Sequence, residues 1–525
     1  MKRVIFTLAI TTIFLLLASC ASKIPYYKSN DGLDQTFSKD NIDSEIFLIG
    51  DIGLESNGVQ PGDLVSMIKE QLTPNMDNQT VVFLGNSLSA SGLPDEETKE
   101  NAELTKNITG CIDELSASTK NLIFLPGNHE WYDGNSHTVE GVQASEDFIQ
   151  GLAGGKNIFK PGKGCGEPSI VKINKDLILV LVDSQWLLQS DANNERRKSS
   201  CDIDNNLEFI TFMQDVVRTN KRKNIVIAMH HPVFANGKVG GNYPIKNHLL
   251  PLPVLGTAIT SVKKIIGSPQ QFGNPDYEAF RSTIQSGILN CEGCITVSGH
   301  DNSLQYFEEG GNHFAVAGSG SKVSFVKKAD GAEFSSMSQG FVKIVHTTDL
   351  ELWMEFYGID TVTKKIKLLY RKLIHKKVIE NFEDKNIYKH KEDYPKTITT
   401  KASDRYGKWK FLRGKFYREA WRQDIEAPLL WLDDVAGGLK PIKQGGGFQT
   451  TSLRLENSEG VQFVLRSVKK DVEKVVPPPL RKSVVQNLIQ DGIAASHPYG
   501  AIVIPKLAAA AKIYHATPKL SLIHI

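Results

Sequence analysis

Gly127-Asn128-His129-Glu130 follows the apolar run 121–125, and three further polar motifs also stand directly after apolar runs. These motifs are Gly50-Asp51-Ile52-Gly53, His230-His231-Pro232 and Gly299-His300-Asp301-Asn302. A single motif of this kind is an ordinary turn at a strand end. Four of them in order are expected to meet at one rim of a sheet, where the ligand sites of open α/β sheets collect.

Apolar runs alternate with helical periodicities along the first 300 residues. Buried strands are predicted at 46–49, 81–84, 121–125, 177–182, 224–228 and 295–297. Helices are predicted at 63–71, 103–116, 207–219 and 275–286. This alternation indicates an α/β layer structure. Later strands, predicted at 313–317, 340–346, 351–357 and 365–371, have no helices between them and predict a second sheet packed on the first.

From about residue 46 to 345 the motifs resemble those of the calcineurin-like metallophosphoesterases, and within them the purple-acid-phosphatase-like branch. That branch reads GD-x-G, GD-N-x-Y, GNH-(D/E), an apolar strand ending in H-x-P, and GH-x-H. The resemblance implies a two-sheet αββα sandwich and a phosphoester hydrolase. Two divalent metals would bind the phosphate and lower the pKa of a bound water.

The resemblance also implies a role for each matching residue. One metal would be held by Asp51, a bridging carboxylate, a tyrosine and a last histidine. The other would be held by the same bridge, Asn128, His230 and His300. His129 would contact the phosphate and protonate the leaving group. The implied cofactor is a divalent metal, Mn, Zn or Fe.

Three residues depart from the branch pattern. Asn86, in Gly85-Asn86-Ser87-Leu88-Ser89, replaces the bridging aspartate, Ser89 stands where the branch has tyrosine, and Asn302 replaces the last histidine. Two dications about 3.5 Å apart repel by roughly 20 kcal/mol at an effective dielectric near 20, and a neutral amide does not offset this. Only Asp51 would remain of four ligands to one metal, whereas the other keeps three of four. We predict that the dinuclear centre is lost and that a weak mononuclear site is the most that persists.

Two alternatives remain open at this stage. A working hydrolase could rebuild the site with substitute carboxylates from Glu55, Glu130 or Asp301. A non-catalytic binding or assembly module of the cell envelope could keep the fold as a scaffold.

Several residues near the motifs admit structural roles. His231 and Asp301 are expected to support the ligands rather than bind metal. The segment Asp183-Ser184-Gln185-Trp186 either lines the pocket or forms an ordinary turn at a strand end. His313 lies in an alternating strand, which favours core packing.

Length and charge limit the number of domains and the kinds of partner that the chain is expected to have. A chain of 525 residues is too long for one ordinary core and predicts two or three domains. Its 61 Lys and Arg nearly balance 59 Asp and Glu, so no overall field favours a polyanion and no nucleic-acid partner is predicted. The substrate is expected to be a phosphoester of unknown identity.

The first residues resemble a bacterial lipoprotein signal. Lys2 and Arg3 precede an apolar run from 4 to 17, and Leu17-Ala18-Ser19-Cys20 follows directly. This predicts a signal peptide over 1–19, lipid attached to Cys20, a tether over 20–45, and a membrane-anchored protein of the bacterial cell envelope, at the outer membrane. An ordinary signal peptide or signal anchor is the alternative.

Five further cysteines would then lie in an oxidising compartment. Cys291 and Cys294 favour a local disulfide over a zinc half-site, because no second pair has zinc-like spacing. Cys165 with Cys201 is the natural second disulfide, which leaves Cys111 unpaired and buried.

Composition predicts where the phosphoesterase domain ends. The domain is assigned to 46–373, a charged linker to 374–414 and a partial α+β domain to 415–519. The last unit weakly resembles the small lobe of an atypical kinase, although its glycines at 445–447 are better explained by a hairpin. Residues 520–525 resemble one reading frame of a transposase sequencing adapter and are interpreted as an artefact, with a terminal strand as the alternative.

Overall fold

A computed structural model of the chain describes most of its residues. The described residues are 24–29, 36–53, 59–73, 76, 78–119, 121–189, 201–249, 253–328, 330–360, 362–376, 395–403, 414–445, 450, 452–470, 472 and 484–523. The leader proposed from the sequence, its Cys20 and the candidate ligand Glu55 lie outside them. The chain divides into two compact units, 1–379 and 380–525.

The first unit contains two large sheets. Its strands are β1 Tyr26–Tyr27, β2 Ile42–Ile49, β3 Gln79–Phe83, β4 Asn121–Phe124, β5 Ser169–Lys172, β6 Leu177–Val182, β7 Asn224–Met229, β8 Ile295–Ser298, β9 Leu304–Glu309, β10 Asn312–Ala317, β11 Ala332–Ser336, β12 Gly340–Thr347, β13 Glu351–Asp360 and β14 Lys365–Lys376. The six-stranded sheet has the order β14-β13-β12-β2-β3-β4, and the eight-stranded sheet has the order β1-β11-β9-β10-β8-β7-β6-β5. Neighbours within β2-β3-β4 and within β6-β7-β8-β10 are parallel.

Helices cover these sheets. They are α1 Pro61–Gln71, α2 Lys99–Ser116, α3 Asn128–Trp131, α4 Val139–Leu152, α5 Ser184–Leu188, α6 Asn206–Thr219, α7 Ile245–Leu249, α8 Pro253–Ile266 and α9 Pro275–Gly287, with a 3₁₀ turn at Lys39–Asn41. Side-chain oxygens of Thr98, Thr138, Asn205 and Asn274 accept hydrogen bonds from the first-turn amides of α2, α4, α6 and α9. The four predicted helices correspond to α1, α2, α6 and α9. The sequence analysis missed α4, whose buried face includes Gly141 and Ser145 as well as three apolar residues.

Alternation along each strand produces two separate cores. In β2, Ile46 and Leu48 pack between the sheets, whereas Phe47 and Ile49 pack beneath the helices. The result is a two-sheet αββα sandwich, which confirms the predicted fold class.

The predicted division of the strands between the sheets is wrong. Early strands were assigned to one sheet and late strands to the other, yet each sheet contains both kinds. In the six-stranded sheet β2 pairs with the late strand β12, and in the eight-stranded sheet β8 pairs with β10. Strands that are buried on both faces have similar apolar compositions, so composition does not distinguish the two sheets.

Two disulfides join segments of the first unit. Cys165 is bonded to Cys201, and Cys291 is bonded to Cys294. Cys111 on α2 is a free, buried thiol.

The second unit is a small α+β assembly. Its elements are β15 Thr397–Thr400, β16 Ile425–Leu430, β17 Lys440–Gly445, β18 Ser452–Glu456, β19 Gln462–Arg466, β20 Leu522–Ile523, α10 Arg418–Arg422, α11 Val484–Gly492 and α12 Gly500–Ala510, with 3₁₀ turns at Leu432–Asp434 and Ile493–Ala495. The strands form two three-stranded sheets, β15-β16-β20 and β17-β18-β19. A buried ion pair joins Arg418 of α10 to Asp491 of α11 at 2.5 Å. The short strand β20 lies within the segment interpreted as an artefact, and Gly446 and Gly447 lie outside the described residues.

None of the helices in the described ranges combines the length and the apolar composition that a membrane span requires.

Candidate metal and phosphate site

The four motifs meet at one rim of the sandwich. Asp51, Asn86 and Asn128 follow β2, β3 and β4 in the six-stranded sheet, while His230 and His300 follow β7 and β8 in the eight-stranded sheet. Asp51, Asn86 and His300 have φ angles of 53°, 55° and 65°. Three non-glycine residues in this unfavourable region at one site indicate backbone turns that the surrounding packing enforces.

Glycine is required where the loops after β3 and β4 approach each other. A Cβ atom at Gly127 would lie 2.6 Å from Oδ1 of Asn86 and 2.9 Å from Cγ of His230. The first glycine of the GNHE motif therefore allows Asn86 and His230 to lie against the backbone that presents Asn128.

Three lone pairs converge at the centre of the site. Nδ1 of His230 donates to the carbonyl of Leu84 at 2.7 Å, so its Nε2 is an acceptor. Nε2 of His300 donates to the carbonyl of Gln270 at 3.2 Å, so its Nδ1 is an acceptor. Nε2 of His230 lies 3.1 Å from Oδ1 of Asn128 and 3.1 Å from Nδ1 of His300. No proton joins these three atoms, because the N–H groups of both rings point away from the centre.

Burial keeps both histidines neutral. It lowers the pKa of His300 to about 4 and the pKa of His230 well below its ordinary value. The neighbouring His300 lowers the pKa of His230 further, and His129 and Lys238 lower that of His300. Two neutral imidazole nitrogens and an amide oxygen that face one another are a donor set suited to a divalent cation such as Zn²⁺ or Mn²⁺. The residues present therefore fit one metal ion held by Asn128, His230 and His300.

The opposite half of the site is joined by direct hydrogen bonds. Nδ2 of Asn86 donates to Oδ1 of Asp51 at 2.9 Å, and the backbone N–H of His300 donates to Oδ2 of Asp51 at 2.7 Å. Oδ1 of Asn86 accepts from the backbone N–H of His129 at 3.1 Å. Both ends of the Asn86 amide thus have partners within the protein. Burial raises the pKa of Asp51 to about 7, although these hydrogen bonds oppose the shift.

Glu130 holds the two loops together. Its carboxylate accepts from the backbone N–H groups of Asn86, Ser87, Leu88 and Gly127, at distances from 2.7 to 3.1 Å. The side chain is fully buried. Four amide donors satisfy a carboxylate, so Glu130 fixes the loops after β3 and β4 and has no need of a cation.

Asp301 has a comparable structural role. Its Oδ2 accepts from the backbone N–H of Gly237 at 2.9 Å and from Nε2 of Gln305 at 2.8 Å. Burial raises the pKa of this carboxyl group. Asp301 therefore anchors the segment around Gly237 to the end of the eight-stranded sheet.

The other two departures from the branch pattern have different surroundings. Oγ of Ser89 donates to Glu100 at 2.5 Å and lies 2.9 Å from Oγ of Ser91. Oδ1 of Asn302 is buried and finds no hydrogen-bond partner within the described part of the chain.

His231 lies beside the three converging atoms, and its ring is one of three imidazoles that a metal could join with His230 and His300. Its Nε2 donates to Oε1 of Gln270 at 2.5 Å, and its Nδ1 accepts from Oγ of Ser184 at 2.8 Å. Because both ring nitrogens have protein partners, we assign His231 to the support of Gln270. Gln270 in turn orients His300 through its backbone carbonyl.

The segment 183–186 is a short capped helix rather than a simple turn. Oδ1 of Asp183 accepts from the N–H groups of Gln185 and Trp186, and its Oδ2 accepts from Nε1 of Trp131 at 2.9 Å. Burial raises the pKa of Asp183 to about 7. The segment therefore supports the site from behind, through Ser184 and Gln185. His313, in β10, is buried and lies 2.8 Å from the hydroxyl of Tyr306.

A pocket of about 510 Å³ opens over these residues. Asp51, Asn86, Asn128, His300 and Asn302 contribute to its floor, together with His129. Burial lowers the pKa of His129. Lys238 and Lys322 line the same pocket and bring positive charge to it.

Comparison with known proteins identifies the class of domain. Residues 44–254 match the family model described as calcineurin-like phosphoesterase. This part of the chain is therefore a calcineurin-like metallophosphoesterase domain, as the motifs predicted. The family is one of phosphoester hydrolases that bind divalent metals, and the converging atoms of Asn128, His230 and His300 are suited to one. No curated protein matches the chain.

Several solved structures match the chain at low identity and with TM-scores below 0.4. GAP50, described as the anchor in the inner membrane complex of Plasmodium, is 14% identical with a TM-score of 0.37, and the match covers 66% of this chain and 92% of that one. Purple acid phosphatase PPD1 from yellow lupin is 13% identical with a TM-score of 0.39, over 62% of this chain and 53% of that one. Zinc-complexed Vps29 from Entamoeba histolytica is 12% identical with a TM-score of 0.24, over 63% and 99%.

The sequence analysis placed the residues of the rim but missed those that orient them. Gln270 had no sequence signal, since it lies in a loop far along the chain from both histidines that it contacts. Glu130 was considered only as a substitute metal ligand, although an acidic residue directly after a strand-end turn is well placed to accept backbone amides.

Proposed function

We propose that the first unit is a phosphoester-binding metallophosphoesterase domain with one divalent site, at Asn128, His230 and His300, and with weak or no hydrolysis. The observation that carries this proposal is the 2.9 Å hydrogen bond between Nδ2 of Asn86 and Oδ1 of Asp51. The Asn86 amide occupies the position at which a bridging carboxylate would join two metals. An N–H group directed at Asp51 repels a cation there rather than binding it.

Charge balance supports a single metal. The second ion would rely on Asp51, Asn302 and a neutral amide, which supply at most one negative charge against a repulsion of roughly 20 kcal/mol between two dications. A single cation at the converging lone pairs experiences no such repulsion. A metal bound there would act as a Lewis acid on a phosphoryl oxygen.

The remaining groups of the pocket suit an anionic phosphoester. Lys238 and Lys322 supply positive charge at the pocket wall. His129 lies next to Asn128 at the floor, where its imidazole can donate a proton to a leaving-group oxygen. Burial lowers the pKa of His129, so less of it carries the proton that such a donation requires.

Rebuilding of the site by Glu130 or Asp301 finds little support, while Glu55 lies outside the described residues. The Glu130 carboxylate is satisfied by four backbone amides, and Asp301 is bound to Gly237 and Gln305. Using either as a ligand would free buried N–H groups, at a cost of about 1–3 kcal/mol for each.

Metal content and turnover test the proposal directly. Purified protein should bind one equivalent of Zn²⁺ or Mn²⁺ and turn over a chromogenic phosphomonoester poorly. The double variant Asn86→Asp with Asn302→His should bind a second equivalent and gain activity, whereas Glu103→Gln, an exposed change on α2, should alter neither. Two equivalents bound by the unmodified protein, with ordinary turnover, would refute the proposal.

We further propose that the protein is a lipoprotein of the bacterial cell envelope, held at the outer membrane through Cys20. The support is the sequence of the leader, with its basic start, apolar run and Leu17-Ala18-Ser19-Cys20. Labelling with a fatty-acid analogue should mark the unmodified chain and fail for Cys20→Ala. Equal labelling of both would refute the anchor.

A further inference from the structure

Helices α7 and α8 form an arm that rises from the rim of the pocket. We call these two helices, Ile245–Leu249 and Pro253–Ile266, the helical arm. Lys238 and Val239 before it, and Ser268, Gln270 and Gln271 after it, all line the pocket. The backbone N–H of Phe272 donates to the carbonyl of Val239 at 3.0 Å and closes the base of the arm.

The side chains of α8 whose burial is described, from residue 256 to 264, show the reverse of the polarity expected for a helix packed on a protein core. Thr260 is only 4% exposed and its hydroxyl lies 3.0 Å from Nδ1 of His248 on α7. Ile259 and Val262, three residues apart and on one side of the helix, are 38% and 52% exposed. A soluble helix normally buries its apolar stripe, so exposed apolar residues beside a buried threonine indicate a surface that binds something apolar.

The charge of this region is of one sign. From residue 236 to 275 the sequence contains no Asp or Glu, and its charged residues are Lys238, Lys246, Lys263 and Lys264. Lys246, Lys263 and Lys264 are exposed on the arm. Lys264 interacts electrostatically with Asp330, whose carboxylate also pairs with Lys327.

We propose that the helical arm docks on an anionic lipid bilayer, with Ile259 and Val262 entering the interface and the three arm lysines beside the headgroup phosphates. Interfacial helices combine an apolar face with lysines in this way. A protein partner would be expected to meet charges of both signs, and forty residues without an acidic group favour a phosphate surface instead. The inference rests on the proposed function only in that the docked arm would bring the pocket to headgroup phosphoesters.

Vesicle flotation tests the docking. The protein is used from Ala21 to Ile525, so that acylation of Cys20 cannot hold it on the lipid. It should bind vesicles rich in phosphatidylglycerol, bind phosphatidylcholine vesicles much more weakly, and lose binding as salt is raised. The double variant Ile259→Asp with Val262→Asp should lower the partition coefficient about tenfold or more. Lys263→Glu with Lys264→Glu should lower it about tenfold at low salt.

Matched control variants carry the same kinds of substitution at exposed positions outside the helical arm. Ile170→Asp alters an apolar residue of β5 that is 47% exposed, and Lys365→Glu with Lys367→Glu reverses two exposed charges on β14. Both controls should bind as the unmodified chain does. Amide exchange should slow in peptides covering 253–266, and not in those covering 169–172, when anionic vesicles are added.

Several outcomes would overturn the proposal. They are absence of binding to anionic vesicles, equal binding by the arm variants, and loss of binding only when Ile504→Asp alters α12. Binding to a protein in preference to lipid would assign the arm to a protein partner. Because flotation is performed with EDTA, it is independent of the metal site, so failure of the proposed metal stoichiometry and failure of lipid docking are separate results.

Discussion

The two halves of the rim differ in how their polar atoms are paired. On the side of Asn128, His230 and His300, acceptors face acceptors, an arrangement that a cation would stabilise. On the side of Asp51 and Asn86, donors face acceptors, so both oxygens of the Asp51 carboxylate are hydrogen-bonded without an ion. The comparison teaches that the two halves differ chiefly at residue 86, because the NH₂ group of Asn86 donates to Asp51 where our proposal has a second cation excluded.

The largest effect is expected at Glu130, whose carboxylate joins the loop that carries Asn86 to the loop that carries Asn128. Glu130→Gln would direct an NH₂ group at backbone N–H groups that now meet a carboxylate, and should lower the free energy of unfolding by about 3–5 kcal/mol. Urea unfolding measures this loss. Glu103→Gln, on the exposed face of α2, should change it by less than about 0.5 kcal/mol. A loss at Glu130 no larger than in this control would show that the two loops do not depend on its carboxylate.

Metal affinity should separate the two halves. His230→Ala and His300→Ala each remove one of three ligands and should weaken Zn²⁺ or Mn²⁺ binding at least about 100-fold, whereas Asn302→Ala should weaken it less than about threefold. Isothermal titration of the folded variants gives the affinities. If Asn302→Ala weakened binding as much as the histidine variants do, the two halves would form a single site.

Introducing a second carboxylate should expose the difference between the halves. Asn86→Asp places two carboxyl groups about 3 Å apart, so they share a proton at low pH and repel at high pH. The variant should be less stable than the unmodified protein by about 2–3 kcal/mol at pH 8, should be closer to it at pH 5, and should regain stability when divalent metal is added. Chemical unfolding at the two pH values, with and without metal, measures this. If the stability of the variant depended neither on pH nor on added metal, the result would contradict the geometry proposed for Asp51.

The titration of Asp51 itself should make the free energy of unfolding depend on pH. Its pKa is raised from 3.8 to about 7 in the folded protein, so its neutral form stabilises the fold at low pH and this contribution is lost as pH rises from about 4 through 7. The difference in unfolding free energy between the unmodified protein and Asp51→Asn should therefore fall by about 3 kcal/mol over that range. The difference is the useful quantity, because His230 and His300 have lowered pKa values and act in the opposite direction. A difference independent of pH would contradict the raised pKa.

The sequence predicted the rim of the site well, because its motifs follow strand ends directly. Asp51, Asn86, Asn128, His230 and His300 each follow a strand within four residues of its end, and parallel strands place such residues at one edge. The alternation of strands and helices indicated an α/β layer structure, and the family resemblance implied the two-sheet sandwich.

The sequence failed where the partner of a residue is distant along the chain. Gln270 contacts His231 and His300, yet no periodicity or motif marks it. The helical arm was also missed, since apolar residues in a sequence predict a buried face, whereas Ile259 and Val262 of the arm are exposed. The assignment of strands to sheets was wrong because strands buried on both faces are nearly interchangeable in composition.

By itself the sequence determined the class of fold, the residues that reach the rim and the loss of a carboxylate at position 86, because these depend on local patterns and on residue identity. Only the tertiary structure decided which nitrogen of each histidine keeps its lone pair, where the amide of Asn86 points and which face of α8 is exposed. Those outcomes depend on carbonyls and amides from separate strands and loops, whose proximity arises only when the two sheets pack together.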